Sequence, residues 1–261
     1  SLKTVADFRA HCASLGVDLP VEDAIEAHAI INRLKAEGRI PASTRLLVTI
    51  PSPYDILNFA VAKSDFRKVL PAYEELLISE ARKIGALIPA QNLALQWDAA
   101  HEFEYLATSS PMFNHMTREE MVDLLVRLGK GSPAGAELGY HCCYGNFQLK
   151  HFVEPPDMGD MVDVMNKVIA GVGRPVAFVH MPVPIERDDD AYFAPLKNLK
   201  LQAGTEFYLG MSHDRDGVPG IVRRAAAASK VVKDFGISTE CGLAMRTPEN
   251  IRQILHIEAE A

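Results

Sequence analysis

The run Glu137-Leu-Gly-Tyr-His-Cys-Cys-Tyr-Gly-Asn146 carries the densest chemistry in the chain. It reads as a short strand, Leu138 to Tyr144, entering a Gly-Asn turn. Side chains alternate along a strand, so His141 and Cys143 share one face and Cys142 takes the other. An imidazole and a thiolate two residues apart on one face are good donors to a single zinc ion. Two donors do not complete a site, so the rest of the chain must bring one or two more. The competing reading is a buried strand with a hydrogen-bonded core histidine and two inert thiols.

Cys241 ends the run Gly236-Ile-Ser-Thr-Glu-Cys241 just before Gly242, and is the natural third donor. His180, within Arg174-Pro-Val-Ala-Phe-Val-His-Met-Pro182, falls on the strand after the His141 pair at comparable height. His141, Cys143, His180 and Cys241 then form a tetrahedral set of two nitrogens and two sulfurs, which suits zinc over magnesium or calcium. Glu240 competes as an oxygen donor, but alternation turns it away from the Cys241 face. His180 reads equally well as a substrate hydrogen-bonder or a core histidine.

Further polar groups sit at strand ends. Asp98 closes Asn92-Leu-Ala-Leu-Gln-Trp-Asp98, and Glu102 follows on the first helical turn. Such a pair suits amine binding or acid-base work, against the plainer reading of a helix cap with a solvated partner. His213 opens the loop His213-Asp-Arg-Asp216, which otherwise reads as a charged surface turn. Tyr144 and Asn146 flank the metal pair, placed to orient a ligand or substrate. Tyr192 follows the solvated run Asp188–Asp190. The expected catalytic residues are therefore Asp98, His213 and Tyr144. Asp98, Glu102, Asn146 and Tyr192 are the expected substrate contacts, while Trp97 and the scattered Met residues read as packing.

Six β-rich runs alternate with helical ones. The runs are Arg45–Ile50, Asn92–Asp98, Leu138–Tyr144, Arg174–Pro182, Thr205–Ser212 and Gly236–Cys241. Apolar spacing predicts helices over about 2–15, 21–37, 70–84, 118–128, 160–171 and 218–235. Strand–helix alternation implies a parallel sheet covered by helices. Chemistry-bearing residues at nearly every strand end point to a (β/α)8 barrel, because a doubly wound sheet gathers them at one crevice. Six strands are two short, so the expectation is a single barrel domain over 1–261 that lacks its first strands.

Composition excludes other classes. At 48% hydrophobic residues the chain can bury a large core. Net charge of −7 and a pI near 5.7, with dispersed basic residues, argue against a nucleic-acid or anionic-membrane surface. No apolar run reaches about 18 residues, so no membrane span is expected. The start Ser1-Leu-Lys-Thr has no signal-peptide shape, and four cysteines, two of them adjacent, fit reduced thiols in the cytoplasm.

His-x-Cys at one strand end and Cys-Gly after the last strand together resemble the catalytic domain of cobalamin-independent methionine synthase. The wider group includes epoxyalkane:coenzyme M transferase and uroporphyrinogen decarboxylase-like barrels. Leu95-Gln-Trp-Asp98, His180-Met-Pro-Val-Pro with Asp188-Asp-Asp-Ala-Tyr192, and Ser238-Thr-Glu-Cys-Gly242 look like a separate branch of that superfamily. The resemblance implies that His141, Cys143 and Cys241 hold zinc. The synthase carries a zinc-ligating Glu on the strand after His-x-Cys, where this sequence offers His180. No counterpart is found for the synthase residues that bind homocysteine and polyglutamyl folate, so folate is left open. The implied activity is methyl or alkyl transfer to a thiol activated as a zinc-bound thiolate; whether the chain forms a homo-oligomer is left open by the sequence. The implied partners are a small-molecule thiol and an alkyl donor. Replacing Glu by neutral His adds positive charge, which also admits a zinc-dependent lyase or hydrolase. A closed, non-catalytic structural zinc site is the third reading.

Overall fold

The computed structural model describes residues 4–15, 20–108, 115–145 and 150–261. Six strands are present: β1 Leu46–Pro51, β2 Leu93–Ala99, β3 Glu137–Cys142, β4 Phe178–Pro182, β5 Glu206–Ser212 and β6 Gly236–Thr239. The α-helices are α1 Val5–Leu15, α2 Pro20–Ala36, α3 Pro53–Ala60, α4 Lys63–Leu87, α5 His101–Thr108, α6 Arg118–Gly131, α7 Gly159–Gly171, α8 Asp190–Phe193, α9 Gly217–Ala228 and α10 Pro248–Glu260.

All strand pairs are parallel, and the sheet order is β1-β2-β3-β4-β5-β6. Sequential order is that of consecutive strands around a barrel wall, whereas a doubly wound sheet reverses direction at a switch point. The expected barrel is thus present as an open wall. Among the described residues β6 does not pair with β1, and Leu47 on β1 is 46% exposed.

The two faces of the wall have different chemistry. Leu95, Trp97, Leu138, Tyr140, Cys142, Val179, Met181, Phe207, Leu209 and Met211 are buried and belong to the hydrophobic core shared with the helices. Trp97 donates to Ser132 Oγ at 2.9 Å, a packing role as expected of it. The opposite face carries the polar row. Asp98 is in register with His141, His141 with His180, and His180 with Tyr208. Cross-strand partners point to the same side, so alternation brings the acid and both histidines onto one surface.

Two glycines make that surface possible. A Cβ on Gly139 would lie 2.0 Å from the Phe178 ring, and one on Gly210 would lie 2.8 Å from the His180 ring. The register slips between Gly210 and Ser212, a β-bulge that bends β5 where His180 leans on it. No helix among the described residues is long and apolar enough to cross a membrane.

Candidate metal centre and adjoining cleft

His141 lies on β3, Cys143 just past its end, and Cys241 two residues past β6. The Cys143 N–H continues the ladder to Ala99 O at 2.9 Å, which holds its side chain on the His141 face. One donor atom from each of His141, Cys143 and Cys241 lies within 4.8 Å of the others. One nitrogen and two sulfurs at that spacing fit a tetrahedral zinc ion with one position left for another ligand. Cys142, Cys143 and Cys241 are thiols, not disulfides.

The sulfurs are electrostatically coupled. The hydrogen bond from Cys143, followed by the one from His141, brings the Cys241 thiol down to about 4 against the penalty of burial. Cys143 moves well upward, because Cys241 accepts its proton and because it is buried. Burial opposes charge on His141, yet Cys241 and the Asp98 carboxylate raise its pKa overall. The metal-free centre therefore holds protons where a cation would otherwise balance the thiolate.

His180 stands behind His141, outside this donor group. Its Nε2 lies 3.1 Å from Thr239 O, and its Nδ1 lies 2.6 Å from His141 Nδ1. A carbonyl oxygen only accepts, so His180 Nε2 carries the hydrogen. Burial and the neighbouring His141 charge push His180 down to about 3, so the ring is neutral and its Nδ1 accepts. His141 Nδ1 must then be the donor, which leaves His141 Nε2 as the atom with a lone pair for a metal. The expected fourth ligand is thus spent on hydrogen bonds that orient the first.

Asp98 sits beside His141 and takes Gln96 Nε2 at 2.7 Å; burial raises its pKa. Glu102 is fully buried on α5 and away from the cleft. It accepts from Ser52 Oγ at 2.6 Å and hydrogen-bonds to Asp55, which itself accepts from His101 N at 2.7 Å. Glu102 Oε2 finds no other donor among the described residues. Burial raises both acids, Asp55 strongly, and one proton kept on the pair satisfies it. Asp55 did not stand out in the sequence, although Ser52-Pro-Tyr-Asp55 has helix-start spacing and Ser52 does cap α3.

Tyr144 and Tyr192 are buried, and their hydroxyls meet at 3.3 Å. Tyr192 donates on to Pro182 O at 2.9 Å, and neither ring lines the cleft. Asn146 lies outside the described residues.

His213 lines an open cleft of about 610 Å³ with His151, Glu240, Lys150, Arg215 and Arg246. Glu240 joins the two histidines, its oxygens 3.2 Å from His151 Nε2 and 3.1 Å from His213 Nδ1. Burial would raise the Glu240 carboxyl, but hydrogen bonds from these rings hold it down to about 2. Glu240, in this lining, immediately precedes Cys241 of the donor cluster. Glu240 is turned away from the sulfurs, as alternation requires. His151 has no motif around it that would have marked it in advance.

The sheet order and the donor cluster define the class: an α/β protein of barrel-wall topology with a candidate transition-metal centre at the carboxyl ends of its strands. No protein-family model matches the chain, and no curated protein does. Among solved structures it is similar to one from Listeria monocytogenes that carries a provisional name, vitamin-B12-independent methionine synthase. The TM-score is 0.51 at 19% identity, covering 81% of this chain and 62% of that one. At that identity the likeness is one of fold, and this chain spans less than two thirds of the length of the structure it matches.

Proposed function

We propose that this protein is a zinc-dependent transferase that moves a methyl or other alkyl group onto a small-molecule thiol. The observation that carries the reading is the convergence of His141, Cys143 and Cys241 within 4.8 Å at the strand ends. Zinc, when bound there, deprotonates a coordinated thiol whose free pKa is about 8.5, making it a nucleophile at neutral pH.

The chain's own residues supply the rest. Cys143, Cys241 and His141 Nε2 hold the ion. Thr239 O and His180 fix the His141 ring so that Nε2 faces the sulfurs. Asp98 offsets positive charge beside His141. His213 is held by Val183 O at 2.9 Å and by Glu240, which fixes its ring in the cleft lining. Tyr144 and Tyr192 brace β4 against the loop that follows β3. The chemistry needs reduced sulfurs, so a reducing compartment such as the cytoplasm is part of the proposal.

Cobalt substitution tests it without knowledge of the alkyl donor. Cobalt(II)-loaded protein should gain sulfur-to-metal charge-transfer absorption when a small thiol is added, beyond that of its own two cysteines. A spectrum unchanged by any of a panel of thiols would mean a closed, structural site.

A further inference from the structure

The whole chain is acidic, at −7, yet the cleft next to the centre collects cations. Lys150, Arg215 and Arg246 line it together with His151 and His213. The carboxylates of that lining are already engaged. Asp214 takes Arg246 at 3.1 Å and Asn250 at 2.7 Å, and Glu240 lies between the two histidines. Glu154 stands 3.6 Å from His151. Lys150 and Arg215 have no ion pair among the described residues. In the groove adjoining Arg215, Asp188 and Asp216 are bound by Arg223 and Arg224, and Glu186 makes no ion pair with it.

We infer that this cleft recognises the anionic head of a small organic substrate, with Lys150 and Arg215 as the specificity-determining cations. The inference rests on the transferase reading and names the chemistry of what that site takes. Phe152, Val153 and Ile185 add an apolar wall, so the ligand has a short hydrocarbon body behind a carboxylate, sulfonate or phosphate. Orientation follows from the floor. The Glu240 carboxylate repels a second anion there, so the head sits at Lys150 and Arg215 while the uncharged end reaches past Glu240 toward Cys241. A volume of about 610 Å³ suits a molecule of metabolite size. Either the thiol or the alkyl donor can carry the head, and the recognition chemistry is the same.

Calorimetry on the full chain at low salt separates the cases. The probes are 3-mercaptopropanoate, uncharged 2-mercaptoethanol, propanoate and inorganic phosphate. Propanoate or phosphate should bind zinc-free protein, and Lys150→Gln with Arg215→Gln should weaken that binding about tenfold or more, with zinc content unchanged. If the thiol carries the head, 3-mercaptopropanoate binds zinc-loaded protein about tenfold tighter than 2-mercaptoethanol; if the donor carries it, the two thiols bind alike while the anions still require both cations. Anion binding to the zinc-free protein does not depend on the zinc reading, so the two failures are distinguishable. Anions that bind neither form, or that bind the double variant as well as wild type, overturn the inference.

Discussion

At the scale of single residues, the decisive contact is the one between His141 and His180. Strand alternation made His141 and Cys143 legible as a pair, because that pattern is local; Cys241 was marked by its place at the end of the last strand, before Gly242. The place of His180 was not legible, since it depends on a cross-strand register and on the empty space at Gly210. His180→Ala removes the acceptor that fixes the His141 tautomer and should weaken zinc binding by about 10- to 100-fold, measured by competition with a chelator. Zinc affinity equal to wild type would sever His180 from the centre. The Asp55–Glu102 pair was half visible: Glu102 was singled out, Asp55 was not, because its partners come from another helix. Its acids have folded pKa values above their unfolded ones, so the stability they contribute is full at low pH and lost as pH rises through the folded pKa. Glu102→Gln keeps an acceptor for Ser52 and a donor for Asp55, and its melting temperature should fall less than that of wild type as pH rises from the acid range, below the ordinary carboxyl pKa, upward. An identical pH profile would mean that the pair carries no shared proton.

At the scale of elements, all six strands were readable because short runs of mainly apolar and aromatic residues end in polar residues or turns. The helices were harder. α3 has eight residues, too few to show a period, and its signals are its Ser52 cap and Pro53. α4 starts before the expected segment and carries Pro71 inside it, an irregularity that obscures its first turns. α10 buries only Ile254 in its core-facing stripe, so its hydrophobic pattern is thin even though Thr247-Pro248 marks its start. Two substitutions test the elements separately. Thr117→Ala breaks the reciprocal cap with Glu120 at the head of α6 and should cost about 1 kcal/mol in denaturant unfolding, without touching metal affinity. Gly210→Ala forces a methyl into the His180 ring and Thr239 O, and should both destabilise the fold and loosen the metal. Zinc affinity unchanged by Gly210→Ala would show that the bulge of β5 is not what holds the histidine chain.

At the scale of the whole molecule, a metal at His141, Cys143 and Cys241 would clasp the third strand to the last, across the two strands between them. β6 is half-buried along its length and forms one edge of the open wall, so it has the most to gain from such a clasp. A ligand bound only by the folded state raises stability in proportion to the logarithm of its concentration over Kd. Zinc should therefore raise the melting temperature of wild type and leave Cys241→Ser unmoved. The open wall itself was legible as strand count; which residues adjoin its two edges was not, because edge environment is set by tertiary contacts that no local pattern encodes.

The most direct test is metal content of the purified protein, prepared without chelators, beside Cys143→Ser and Cys241→Ser. The account predicts about one zinc per chain in wild type and a large loss in both variants, because donors from distant strands build one site. A wild type that takes up no zinc when it is supplied, or variants that keep it in full, would contradict the centre and the transferase reading with it.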